Sequence, residues 1–266
     1  MSYEKTMISD FMKNTCILFL SLFLLQSCAE AQQSKSNEDS ITLSESFLRT
    51  IAAKEDTQEI LERYANLDAV SLEKELDTEE KKLVFWINTY NAFIQDFLIK
   101  DPSLYEDRGA FFGKDRMAIA GESLSFDDLE HGIIRSSRWK LSLGYVRNPF
   151  VPKFIRKMRT EKPDGHVHFA LNCGAISCPP VRIYHVGTLY AQMDESSKIF
   201  LERSAKIDGE EVTVTPLMSW FRGDFGGKKG IVNDFLIPYE IISADLDPEL
   251  SFGDYDWTLS LSEIID

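Results

Sequence analysis

Leu83-Val84-Phe85-Trp86-Ile87-Asn88-Thr89-Tyr90-Asn91-Ala92-Phe93-Ile94-Gln95-Asp96-Phe97-Leu98 is the stretch on which the fold turns. Its large apolar residues recur at three- and four-residue intervals and together cover most of a helix circumference. Such a helix belongs in the centre of a core rather than at its edge. The helix is expected to run from Glu79 to Lys100. Thr78 offers an N-cap oxygen, and Asp101-Pro102 stops it, because a residue before proline is pushed out of the helical region. Asn88, Asn91 and Gln95 form a polar stripe through this apolar cylinder, and buried amides need partners.

Outward from that helix the pattern is mixed. Residues 43–76 show helical spacing in two or three short pieces, such as Phe47/Leu48/Ile51 and Ile60/Leu61/Tyr64. Arg116 to Ser125 alternates weakly around Gly121-Glu122, the signature of a short hairpin. Ser125-Phe126-Asp127-Asp128 fits a capping box opening a helix through about Arg135. After the turn at Pro163-Asp164-Gly165, His166 to Asn172 alternates as a strand does. A helix is expected over Leu189–Arg203, a hairpin turn at Asp208-Gly209, a helical turn after Pro216 and a helix over Ile231–Ile237. Helices and short hairpins without regular alternation point to an α+β fold. The expectation is one domain over 43–266: a central buried helix packed with short antiparallel hairpins and several further helices.

Ahead of it, Cys16-Ile17-Leu18-Phe19-Leu20-Ser21-Leu22-Phe23-Leu24-Leu25 is about ten residues long, where a spanning helix needs roughly 20. It closes on Leu25-Gln26-Ser27-Cys28, which resembles a bacterial lipobox. That resemblance implies a signal peptide over 1–27, cleavage before Cys28, and a lipid on its thiol that anchors the chain to a membrane. The polar stretch 28–42 reads as a flexible tether. Ala29 follows the cysteine where an aspartate would favour the inner membrane, so the outer membrane is the expected address, facing periplasm or cell surface. A net charge of −14 argues against nucleic acid, whose phosphates need a basic face, and against a charge-driven grip on anionic lipid. An envelope ligand or protein partner is the expected alternative.

The chemistry-bearing segment is His168-Phe169-Ala170-Leu171-Asn172-Cys173-Gly174-Ala175-Ile176-Ser177-Cys178-Pro179-Pro180. Together with Phe85-Trp86-Ile87-Asn88-Thr89-Tyr90-Asn91, Leu124-Ser125-Phe126-Asp127-Asp128-Leu129-Glu130-His131-Gly132-Ile133-Ile134-Arg135 and the late Tyr255-Asp256-Trp257-Thr258-Leu259, it resembles the family known as domain of unknown function 547. The resemblance runs from about 75 to 260. It implies a domain found in bacterial lipoproteins and, with other attachments, in plant proteins, and it brings no activity with it.

Three readings compete. In the first, Cys173 and Cys178 join as a disulfide, and the polar residues line a binding or scaffold site; five residues of separation allow the required Cα distance. In the second, Cys173 is the nucleophile of a thiol hydrolase or transferase. His131 or His168 is then its base, and Glu130, Asn88 or Asn91 orients that base. In the third, His166, His168 and the two thiols hold zinc; His166 lies outside the family pattern, which leaves His168, Cys173 and Cys178. Asn91, Asn172, Cys178 and Arg135 are expected to bind or shape the ligand. Asp127 and Asp128 favour a helix start rather than a glycosidase pair. Trp220, Phe221 and Phe225 read as core. Gly223–Gly230 lacks the spacing of a phosphate-binding loop, and no cofactor is expected.

Overall fold

A computed structural model describes residues 39–266. The expected leader 1–27, Cys28 and residues 29–38 of the tether lie outside the described residues. Ser40–Asp266 makes one compact unit.

The central helix, α4 (Glu79–Lys100), has the bounds its sequence gives it; Thr78 Oγ1 accepts the Lys81 N–H at 3.2 Å. Every residue from Leu83 to Asp96 is buried. α1 (Ser40–Ala52), α2 (Gln58–Ala65) and α3 (Ala69–Glu75) precede it. α1 starts inside the stretch expected as tether, because Ser40 and Leu43 are buried and the Ser40 N–H donates to Glu75 at 3.0 Å. Phe47 meets Phe93 edge-on at 5.1 Å, and Tyr64 shares a 2.9 Å hydrogen bond with Thr89 of α4.

Beyond a 3₁₀ turn and α5 (Arg108–Gly113), β1 (Met117–Ile119) and β2 (Glu122–Leu124) form the expected hairpin. Its turn is Ala120-Gly121, both left-handed. The capping box forms as read: Ser125 Oγ accepts the Asp128 N–H at 3.1 Å, and the Asp128 carboxylate accepts the Ser125 N–H at 3.0 Å. The helix it opens, Asp128–Ile134, is wound as a π-helix, a form found often at functional sites.

The segment 166–172 corrects the expectation of a strand. Gly165–Phe169 is a 3₁₀ helix, capped by Asp164, which accepts the His166 N–H. Val167, His168 and Phe169 are all buried, so the alternation marks two enclosed sides rather than the two faces of a sheet. The sheets are small. β4 (Lys206–Asp208) pairs antiparallel with β5 (Glu211–Val214), as the Asp208-Gly209 turn predicts. The remaining pairings are parallel: β5 with β6 (Glu249–Phe252), and β3 (Val181–Arg182) with β7 (Ile264–Ile265). Parallel partners so far apart in the chain leave no local pattern to read. α6 (Lys153–Met158) packs on the π-helix, and α7 (Leu189–Ser204) on the 3₁₀ helix 165–169. α8 (Leu217–Trp220) and, after the short α9 (Gly227–Gly230), a second π-helix, Ile231–Leu236, bring Met218, Ile231, Phe235 and Leu236 to a second apolar cluster with Phe169 and Phe225. No helix among the described residues is long and apolar enough to cross a membrane.

Candidate functional site

The polar stripe of α4 builds the scaffold of the site, not the site itself. Asn91 donates to the Ala170 carbonyl and accepts the Asn172 N–H, each at 2.8 Å. Asn88 treats Tyr184 the same way, donating to its carbonyl and accepting its N–H at 2.9 Å. Each side-chain amide thus stands in for a neighbouring strand, satisfying backbone that the small sheets do not reach. Asn172 in turn accepts the Gly174 N–H at 2.9 Å and donates to the Pro179 carbonyl at 2.6 Å, pinning the cysteine loop. Asn88, Asn91 and Asn172 are fully buried. The expectation that Asn88 orients a catalytic base is corrected: both ends of its amide are occupied by Tyr184.

What the scaffold positions is a pocket of about 280 Å³. α4 contributes Tyr90, the first π-helix Glu130 and His131, and the 165–173 segment His168, Leu171 and Cys173. Phe112, Asp127, Lys140, Leu217, Trp220, Phe221, Tyr255 and Trp257 close the rest. Trp220, expected in the core, instead forms an aromatic wall with Trp257 (rings 5.8 Å apart, 19° between planes) and Tyr255 (5.2 Å). Phe221 lies flat on His168 at 3.9 Å and 8°. Burial, then the Glu130 charge, raises Tyr90 well above the ordinary phenol range, and burial raises Tyr255 too, so both keep their protons.

Beneath this wall runs a buried chain, His131–Arg135–Asp224–His168. Arg135 has no exposed surface; its Nε donates to Asp224 Oδ2 at 2.5 Å, and its Nη1 donates to His131 Nδ1 at 2.7 Å. An arginine has no acceptor, so the His131 proton sits on Nε2, which faces Asp127 at 3.6 Å. Burial first, and the Arg135 charge next, push His131 down to about 3. Burial also lowers His168, whose Nε2 donates to the same Asp224 oxygen at 2.9 Å. Burial alone would raise Asp224, but its hydrogen bonds and ion pairs with His168 and Arg135 outweigh that and hold it below the usual carboxylate range. Arg135 is therefore a structural charge under the pocket, not a ligand contact. No reading of the sequence marked Asp224; the one signal was a carboxylate inside the glycine-rich 223–230 segment.

Cys173 and Cys178 form a disulfide with Cα atoms 6.3 Å apart. Two sequence readings are corrected by it. Neither sulfur is a thiolate able to hold zinc, and Cys173 is not a free nucleophile. The polar neighbour of both sulfurs is the Tyr255 hydroxyl, at 3.4 Å from Cys173 and 3.2 Å from Cys178. His131 and His168 line the pocket but are engaged by Arg135 and Asp224. His166, once a zinc candidate, pairs with Asp164 and Tyr239 instead. Alkylation of the unfolded, unreduced chain is expected to leave 173 and 178 joined in one peptide. Removing the pair by Cys173→Ala/Cys178→Ala should lower stability by about 2 kcal/mol in the chain-entropy model for so short a loop. Recovery of alkylated Cys173 without reductant would restore the thiol reading.

Residues 74–201 match the model of the family described as protein of unknown function, DUF547. No curated protein and no solved structure matches the chain. The matched segment carries Tyr90, Glu130, His131, His168 and the disulfide. The aromatic wall from Trp220 to Trp257 and the buried Asp224 lie beyond it, and so does the late Tyr255–Leu259 segment to which the resemblance was expected to reach.

Proposed function

We propose that this chain, which carries a DUF547 domain, is a lipid-anchored binding module of the cell envelope whose pocket takes a small organic cation. The anchor part is supported by the lipobox-like Leu25-Gln26-Ser27-Cys28 after a short apolar run. The pocket part rests on one observation: Glu130. Its side chain is only 17 % exposed, and it has no lysine or arginine partner among the described residues. Its contacts are the Tyr90 hydroxyl, donating at 3.3 Å, and His131, which stays neutral. Lys140, the cation at the rim, is held by Asp127 at 2.8 Å. A mostly buried carboxylate calls for a charge partner, and Tyr90, Trp220, Tyr255 and Trp257 line the same pocket. Aromatic faces attract cations, a quaternary ammonium best when it is desolvated among them. Arg108 already lies over the Trp257 ring at 5.1 Å.

Choline and its uncharged isostere 3,3-dimethylbutan-1-ol separate shape from charge. Titrated into the protein, choline is expected to change the fluorescence of Trp220 and Trp257, and the alcohol to bind at least about tenfold more weakly. Glu130→Gln and Trp220→Ala should each weaken choline by about tenfold while leaving the unfolding midpoint nearly in place. Equal binding of the two probes, or no response to choline, overturns the cation reading.

A further inference from the structure

Between Arg135 and Thr160 the chain carries eight lysines and arginines and no aspartate or glutamate, within a protein of net charge −14. The overall charge therefore does not describe this face. Asp224, Asp127 and Glu73 pair with Arg135, Lys140 and Lys157. Arg138, Arg147, Lys153, Arg156 and Arg159 have no carboxylate partner among the described residues. Burial, with the nearby charges of Arg147 and Arg156, makes the Arg159 guanidinium less basic than usual, so Arg159 feels both of these cations.

The same segment holds apolar side chains out in solvent. Leu141 is 93 % exposed, Phe150 86 %, Tyr145 55 % and Trp139 52 %, with Val146 and Leu143 beside them. The loop is not slack at its base. The Trp139 N–H donates to Val146 at 2.9 Å, the Asn148 N–H to Ser137 at 2.7 Å, and the Gly223 N–H to Leu143 at 2.6 Å. Gly144, in the left-handed region, lies so close to Asp224 that any side chain there would collide with it. A loop held at its base thus exposes several apolar side chains within a segment whose charges are all cationic. Contiguous exposed apolar surface of this kind marks an interaction site.

We infer that the loop Trp139–Phe150 is a second membrane contact: its apolar tip enters the bilayer interface while Arg147, Lys153, Arg156 and Arg159 meet anionic phospholipid head groups. Tryptophan and tyrosine concentrate at that interface, and juxtamembrane cations are attracted by anionic lipid. Side chains as exposed as Leu141 and Phe150 need matching holes in a protein partner, whereas a bilayer needs none, and the uncompensated cations of the same segment complement anionic head groups. The inference rests on the envelope reading only for the presence of a bilayer, and it does not depend on what the pocket binds.

The test uses the chain from residue 28 onward carrying Cys28→Ser, so that neither a lipid nor the apolar run 16–25 contributes. It is mixed with vesicles of phosphatidylcholine alone or of phosphatidylcholine with phosphatidylglycerol, and hydrogen exchange is read on the peptides covering 139–150. Protection of about tenfold is expected on the anionic vesicles only. It should vanish in Leu141→Asp/Phe150→Asp, whose side chains are exposed and leave the core intact, and fall steeply with added salt. Unchanged exchange in the presence of anionic vesicles overturns the inference. So does protection that survives the double substitution. Cys28 is already removed, so failure of the lipid-anchor reading leaves this measurement untouched, and the choline titration reports on the pocket separately.

Discussion

Asp224→Ala is expected to destabilise the domain by about 3–5 kcal/mol, the range found when one partner of a buried ion pair is removed. The substitution leaves Arg135, which has no exposed surface, without a counter-charge. It also takes away the acceptor of the His168 Nε2–H. Stacking of the Arg135 guanidinium on Phe221, centroid at 4.3 Å, cannot replace either interaction. The partner substitution provides the control. Arg135→Met/Asp224→Ala removes both charges and keeps the volume of the long side chain, so it should recover a large part of the loss. Urea unfolding of the three variants measures this. A single-variant loss below about 1 kcal/mol would mean that Arg135 finds solvent or another carboxylate, and that the buried chain beneath the pocket is not as described. The pocket should feel the change as well, because Arg135 fixes the proton of His131 on the nitrogen that faces Asp127.

The sequence declared whatever is local. The α4 bounds, the Thr78 cap, the Ser125–Asp128 capping box and the two hairpins follow from signals a few residues long, and each is present in the structure. Glu130, His131, His168 and Cys173 were singled out for their chemistry, and the fold does bring them to one pocket. Their roles were not legible, because a role depends on partners distant in sequence. Asn88 and Asn91 resemble catalytic amides until Tyr184, Ala170 and Asn172 are seen to occupy them. Asp224 sits 56 residues from His168 and 89 from Arg135, with no spacing to announce it. Trp220 read as core because a large aromatic is more often core than wall; only its stacking with Trp257, 37 residues on and beyond any local pattern, distinguishes the two. The strand expected at 166–172 failed for a related reason. Alternation reports two environments, and here both sides of the segment are enclosed by protein.

Acidification should weaken the domain earlier than carboxylate protonation alone would. His131 is neutral in the fold and pushed down to about 3, whereas in the unfolded chain it titrates near the ordinary value of about 6.5. Between those two values the unfolded state holds the extra proton, so stability rises with pH in this window and falls as pH drops below about 6.5. The slope approaches about 1.4 kcal/mol per pH unit for one such histidine. His131 alone therefore removes about 2 kcal/mol between pH 7.5 and 5. His168, also lowered by burial, acts in the same direction. Burial alone would lower His185, but its hydrogen bonds and ion pairs with Glu45 and Asp266 outweigh that and raise it. Its contribution is complete below the unfolded value and is lost only as pH rises through the folded one, so it does not counter the loss below pH 6.5. The depressed carboxylates, Asp224 among them, withdraw their contribution at lower pH still. Urea midpoints measured from pH 7.5 to 5 should therefore fall steadily, and His131→Gln, which keeps an acceptor for Arg135 but no titration, should flatten the fall. If the wild type and His131→Gln lose stability in parallel, the histidine is not held neutral, and the charge balance that leaves Glu130 waiting for a cation must be redrawn.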